Sequence, residues 1–390
     1  MQEYRKNFPA LANKYYFNFG GQGPLPQQAF QAINQGYEYI DKEGPFGGRV
    51  NSWVKKQVAK TREVIATELN SPPEAITLTE NVTAGCNIAL WGLDWQPGDR
   101  IIISDCEHPG VIAAVQEICR RFAVEIAVFP LMATLNEGNP TELIAQYLTP
   151  KTRLVVLSHL LWNTGQVLPL KEIVELCHSY QRERPVRVLV DAAQSVGCLP
   201  LNLRELEADF YAFTGHKWLC GPQGVGGLYV RPETQSSLSP TFIGWRGVEV
   251  NQTGQPTSWK NDGQRYEVAT SAYPQYLGLQ EAIAIHSTWG TPQVRYEKIC
   301  QLSKSLWEGL RKIKGLKCLG TTSPEAGIVS FQLTGSKSPD RFVQTLEKQG
   351  FLLRTIAVPQ CIRACVHYFT SPEEIEALLK AVKQLAVSYG

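Results

Sequence analysis

The sequence has almost no surplus of charge of either sign. Its 38 lysines and arginines face 36 aspartates and glutamates, for a net charge of +2. That balance argues against a dedicated nucleic-acid binder, which usually shows a basic stripe. Long apolar runs are also missing: none approaches the roughly 20 residues that a membrane-spanning helix needs. The opening MQEYRKNFPALANKYY contains no apolar stretch of the secretory type, so a cytoplasmic location is expected. Ten cysteines are present, yet no two form a C-x-x-C pair, which excludes zinc-ribbon and thioredoxin-type readings. They read as reduced, buried thiols. No G-x-G-x-x-G opens a first βαβ unit, so a nicotinamide dehydrogenase is disfavoured. Neither internal repeats nor low-complexity tracts occur.

What remains is an ordinary globular composition, with 43 % hydrophobic and 19 % charged residues over 390 positions. At about 150 residues per domain, two domains are expected. Residues 75–230 alternate short β-rich runs with amphipathic stretches. Strands are expected at 76–78, 100–104, 124–129, 153–157 and 186–190. Helices are expected at 83–93, from Pro109, at 140–148 and at 169–182. This alternation predicts an α/β fold with a mostly parallel sheet covered by helices on both faces. The runs 153–157 and 186–190 are almost wholly apolar, as suits strands buried on both sides. Residues 232–265 read as long functional loops at a domain crossing. A helix near 292–313, strands near 327–333 and 351–353, and a final helix at 371–388 predict a smaller α+β domain.

Five clusters carry chemistry. Phe213-Thr-Gly-His-Lys217 follows a β-like run and precedes an expected glycine-rich loop, 221–227. A lysine there suits Schiff-base chemistry if desolvation or positive charge lowers its pKa; otherwise it is a solvated surface lysine. Asp191 ends a buried strand, where α/β folds bind ligands; it could protonate a pyridine nitrogen or merely cap a helix. Lys217 follows 26 residues later, close enough for both to share one sheet edge. Glu80-Asn-Val-Thr-Ala-Gly85 opens a helix, whose N–H groups and Thr83 hydroxyl could bind a phosphate. His108, just after the 100–104 strand, could stack on a flat ring or serve structurally. Arg363 suits bidentate capture of a carboxylate; its alternative is a surface ion pair.

Taken together, T-E-N-x-T-A-G, E-H, S-H-x-x-W-N-T-G, D-A-A-Q-S, T-G-H-K and the stretch Arg363 to Glu374 resemble the class V (fold type I) pyridoxal-phosphate enzymes of the cysteine desulfurase superfamily. The resemblance implies a large cofactor domain over 15–255 and a small domain built from 1–14 and 256–390. It implies pyridoxal 5'-phosphate as cofactor and no metal. Lys217 would form the Schiff base, Asp191 would pair with the ring nitrogen, and Gln194 would bond the ring's phenolic oxygen. His108 would stack on the ring. Thr83, the Ala84 backbone, Thr214 and His216 would hold the phosphate. Thr270 matches a threonine reaching the partner subunit's phosphate, which implies a homodimer with shared sites. Arg363 would bind the substrate carboxylate, and Asn163 would face the substrate.

One departure from the family pattern matters. Cysteine desulfurases carry a nucleophilic cysteine on a loop before the carboxylate arginine. Here Arg354-Thr355 reaches Arg363 too soon for that loop, and Cys361 lies too near Arg363 to be the mobile nucleophile. The expected activity is therefore carbon–sulfur β-elimination. Cystine, and less well cysteine, would give pyruvate, ammonia and a persulfide or sulfide, with an iron–sulfur acceptor protein as a partner. The alternatives are desulfurase, selenocysteine lyase, transaminase or epimerase-like chemistry, the last suggested by Asn18 to Pro24. Outside enzymes, the alternative is a non-catalytic sulfur-assembly scaffold.

Overall fold

A computed structural model describes residues 2–180, 184–335 and 338–388. Its centre is a seven-stranded sheet. The strands are β1 (Ile76–Thr79), β2 (Arg100–Ser104), β3 (Glu125–Phe129), β4 (Thr152–Ser158), β5 (Arg187–Asp191), β6 (Phe210–Thr214) and β7 (Gly226–Val230). Their order is β1-β7-β6-β5-β4-β2-β3. Only β7 runs antiparallel to its neighbours. The other contacts are parallel. Every residue of β4 is buried, as its apolar run requires for a central strand covered on both faces.

Helices α1 (Gln27–Glu43), α2 (Gly48–Leu69), α3 (Val82–Gly92), α4 (Pro109–Phe122), α5 (Pro140–Tyr147), α6 (Leu170–Ser179) and α7 (Tyr273–Trp289) accompany this sheet. Two caps matter for the site. The Asn81 side chain accepts from Ala84 N at the start of α3. His108 does the same for Gly110 N at the start of α4, where Pro109 costs no intrahelical bond.

A second core holds Phe17 and buried residues from Leu302 to Ala386. It is built by α8 (Pro292–Arg311), a four-stranded antiparallel sheet, α9 (Pro339–Lys348) and α10 (Pro372–Ser388). That sheet has the order β8 (Leu316–Cys318), β9 (Ile328–Leu333), β11 (Cys361–Cys365), β10 (Arg354–Ile356).

The structure refines several expectations. Gly226 and Gly227 belong to β7 rather than to a loop, because glycine lets this strand pass under Phe213: a Cβ on Gly227 would sit 2.6 Å from that ring. The run at 351–353 is a short strand, Phe351–Leu352, parallel to Tyr15–Tyr16. Residues 248–250 and 256–259 form an antiparallel ribbon inside the expected loop region. Helix α7, expected with the small domain, buries Tyr276, Leu279 and Ile283 in the large core. The expected helix 169–182 is observed to Ser179; its residues 181 and 182 lie outside the described residues.

Candidate active site

The site forms where β5 and β6 end and β11 approaches from the smaller core. Asp191 is the last residue of β5 and is 5 % exposed. One carboxylate oxygen, Oδ1, accepts from Ala193 N at 2.9 Å. Gln194, three residues on, is also buried. Its Nε2 donates to Gly20 O at 2.9 Å, and its Oε1 accepts from Trp218 Nε1 at 2.9 Å. One Nε2 hydrogen is left for a ligand.

Lys217 follows β6 by three residues. Its side chain keeps some solvent contact, but the surrounding protein desolvates the amine and pulls its pKa down to about 8. Arg363 adds to that shift by charge repulsion, while Asp191 opposes it. A desolvated lysine near neutrality is a nucleophile and base rather than a surface ammonium.

Arg363 lies in the middle of β11 and is 3 % exposed, so it is no surface ion-pair residue. It donates to Trp162 O at 2.8 Å and to Asn18 Oδ1 at 3.3 Å. Its Nε has no oxygen or nitrogen acceptor among the described residues. Among the described residues it forms no ion pair with a carboxylate, so a charged donor stands ready for an anion. Gly20 makes this approach possible: a Cβ there would lie 3.0 Å from both Arg363 Cζ and Gln194 Oε1. Asn18 also lines an open groove of about 540 Å³ with Tyr16, Gln22 and Arg354.

His108 is exposed at the mouth of the site. Because Nδ1 accepts from Gly110 N at 3.1 Å, the neutral ring carries its proton on Nε2. Burial of part of the ring lowers its pKa, and Lys217 adds to this. Its edge meets Trp162, with ring centroids 5.7 Å apart.

The expected anion donors lie on the β6 turn and at the start of α3. Thr214 Oγ1 and His216 Nδ1 are 2.6 Å apart. Thr83 Oγ1 is 3.6 Å from where a Cβ on Gly110 would sit, beside His108. The Ala84 N–H is already taken by Asn81 Oδ1 at 2.9 Å, so the Thr83 hydroxyl is the freer donor there. Asn163 is spent differently from expectation. It is buried, donates to Val358 O at 3.1 Å, and accepts from Thr164 N at 2.9 Å. Thr270 is exposed on this chain and follows the buried Glu267.

Sequence reasoning missed Glu107, which is buried beside His108. It accepts from Ser104 Oγ, Ser158 N and Ser158 Oγ, while burial and then Asp191 raise its pKa to about 7. The E-H dipeptide signalled the position, but not its burial. Trp218, His286 and His367 were also missed.

The chain matches the family Aminotransferase class-V over residues 15–378. The chain belongs to this family. Among class-V relatives, it is 52 % identical to the cystine C–S lyase C-DES, solved in complex with its reaction product cysteine persulfide. That match covers 97 % of this chain and 99 % of that chain, with a TM-score of 0.95. A lysine-to-alanine mutant of C-DES, with glycine covalently linked to its PLP cofactor, superposes with a TM-score of 0.96 at 52 % identity over 98 % of each chain. A probable cysteine desulfurase of Methanothermobacter thermautotrophicus is 25 % identical, covering 99 % of this chain and 98 % of the relative. Isopenicillin N epimerase of Streptomyces clavuligerus is 27 % identical, covering 97 % and 95 %. Within the class-V fold, the α/β architecture with its mostly parallel sheet is the one expected from the sequence.

Proposed function

We propose that this chain is a pyridoxal-phosphate-dependent carbon–sulfur lyase that eliminates a persulfide from L-cystine and, less well, sulfide from L-cysteine. The residues fit the cofactor. A lysine with a lowered pKa, a buried carboxylate at a strand end, an amide with one hydrogen to spare and a cluster of hydroxyl and imidazole donors suit a phosphorylated pyridine aldehyde. When bound, pyridoxal phosphate supplies an electron sink that acidifies the Cα–H of an attached amino acid.

The chain's own residues do the rest. Arg363 binds the substrate carboxylate through its guanidinium, which Gly20 lets approach Gln194. Asp191 would hold a proton at the ring nitrogen. His108 would lie against the ring, and Thr83, Thr214 and His216 would hold the phosphate. The Lys217 amine takes the Cα proton as general base. The Cβ–S bond breaks with its electron pair leaving on sulfur. The released aminoacrylate reacts with water to give pyruvate and ammonia.

One observation carries the choice of elimination over desulfuration. Strands β10 and β11 form a tight hairpin, with Arg354 opposite Arg363, Thr355 opposite Ile362 and Ile356 opposite Cys361. Only residues 357–360 connect them, and Asn163 pins Val358. There is no loop here to carry a thiol to the substrate. Cys361 is fully buried, and burial raises its pKa to about 11. With no enzyme nucleophile, the sulfur group must leave unaided. A persulfide anion, with charge shared over two sulfurs, leaves more readily than a thiolate, so cystine is preferred.

The proposal includes a homodimer in which Thr270 reaches the second site. Support comes from the exposed Phe242, Ile243, Trp245 and Val268 in the segments leading to it. The persulfide would supply an iron–sulfur acceptor protein in the cytoplasm. No helix among the described residues is long and apolar enough to cross a membrane. The test is product analysis with cystine, cysteine and selenocysteine. Pyruvate with cystine preferred is the expected result. Alanine as the product would replace elimination with desulfuration.

A further inference from the structure

Lys217 stands on a turn whose carbonyls are fully accounted for. Gly215 O accepts from Gly221 N at 2.8 Å, His216 O from Gly23 N at 2.7 Å, and Lys217 O from Cys220 N at 3.0 Å. The next two carbonyls are held from outside the turn. Trp218 O meets His367 Nε2 at 3.0 Å, and Leu219 O meets His286 Nε2 at 2.7 Å. A carbonyl only accepts, so both imidazoles carry a proton on Nε2.

The rest of the network follows from that tautomer. His286 Nδ1 accepts from the Tyr368 hydroxyl at 2.5 Å, and Tyr368 meets the Tyr4 hydroxyl at 2.5 Å. His367 Nδ1 has no partner among the described residues. This nitrogen is desolvated for no local gain, which is a cost unless the other nitrogen does something useful. The two rings lie 5.6 Å apart and 28° from parallel, and His367 stacks on Trp218 at 5.7 Å. Trp218 in turn donates to Gln194. Both histidines are buried, with His367 wholly inaccessible.

The turn itself needs holding. Cys220 sits at φ +52°, in the left-handed region that a non-glycine residue adopts at a cost. Close packing leaves it no slack. A Cβ on Gly23 would sit 2.2 Å from Lys217 O, and one on Gly197 would sit 2.7 Å from the Trp218 carbonyl carbon.

We infer that His286 and His367 are positioning residues for Lys217: two neutral imidazoles that fix the turn behind the lysine and so set where its amine stands. The pair ties that amine through Trp218 to Gln194, and through Tyr368 and Tyr4 to the N-terminal segment. This inference rests on the reading of Lys217 as the cofactor-bearing lysine.

The test compares His367→Leu and His286→Leu, which remove the N–H, with His367→Gln and His286→Gln, whose amide can replace it. The holoenzymes are assayed for kcat and KM with cystine, for the pH midpoint of the visible cofactor band, and for Tm. A misplacement of about 1 Å is expected to lower kcat in the Leu variants by ~10- to 100-fold. KM should stay nearly constant, and the band midpoint should move by about one pH unit. The Gln variants should regain most of both. Equal losses in Leu and Gln variants, or a lower Tm with unchanged kcat and midpoint, would overturn the inference. If the Leu variants do not fold, Tyr368→Phe carries the test, since it removes only the hydroxyl that orients His286. It must shift the midpoint; a wild-type midpoint and kcat overturn the inference. A wild-type protein whose visible band fails to bleach with borohydride would instead refute the role of Lys217 itself.

Discussion

Lys217 owes its reactivity to its surroundings, which disfavour the ammonium. Desolvation leads, Arg363 assists, and Asp191 opposes, leaving the pKa at about 8. At pH 7.5 about a quarter of such amines are free base, against roughly one in a thousand for an ordinary lysine. Competitive acylation of the cofactor-free protein, followed by mass spectrometry, should therefore place the Lys217 midpoint near pH 8. Replacing the lysine removes both base and cofactor link. Lys217→Ala is expected to cut cystine turnover by at least ~10³-fold without unfolding the chain, checked by pyruvate release and circular dichroism. Arg363 is specific in geometry as well as charge. Arg363→Lys should keep the charge yet lower kcat/KM about 10- to 100-fold, chiefly through KM, because an ammonium lacks the planar fork. Steady-state kinetics with cystine decides this.

Elements place these residues, and two of them invite tests. The β10–β11 hairpin replaces a mobile thiol-bearing loop with a short, pinned turn. Cys361→Ala should therefore leave pyruvate formation within about two-fold of wild type, since the side chain is a buried packing group. A collapse of activity with an intact fold would restore a nucleophilic role. The segment leading to Thr270 hangs from Glu267, which is buried between Arg62 and Arg246 and accepts from Leu78 N at 3.0 Å. Glu267→Ala strands two buried guanidinium groups and should cost about 3–5 kcal/mol in urea unfolding. Elements were also where sequence reading was most uneven. The apolar runs of β4 and β5 were legible because central parallel strands leave no polar side. Strand β11 was not: an arginine between two cysteines looks like a surface strand until the site behind it is known.

At the scale of the whole molecule, three apolar cores, two flanking the large sheet and one in the smaller layer, frame the site, and many buried groups are held uncharged. Burial lowers the pKa of His286 to about 3, with Arg295 adding to the effect, and that of His159 to about 4. The sign follows from linkage. An unfolded histidine binds a proton below about pH 6.5 while the folded one does not, so its stabilising contribution is complete above pH 6.5 and is lost as pH falls toward 3. Glu107, raised to about 7, acts in the opposite sense, so the total curve mixes signs. A difference measurement isolates the histidine. The unfolding free energy of wild type relative to His286→Gln should fall by about 1.4 kcal/mol per pH unit below pH 6.5 and stay constant above it. Urea titrations at several pH values check this.

The sequence by itself determined the alternation that makes the parallel sheet, the place of Asp191 at a strand end and of Lys217 just beyond one, and the shortness of the chain between Arg354 and Arg363. These are local properties: apolar periodicity, turn residues and chain length are written in adjacent positions. Tertiary structure alone decided what those residues meet. It set Arg363 against Gly20 and Gln194, spent Asn163 on Val358, and put His286 and His367 behind the lysine they brace. Long-range hydrogen bonds here join residues 67 to 195 positions apart. Since a pKa or a tautomer is set by those neighbours, the chemical state of each side chain could be read only once the chain was folded.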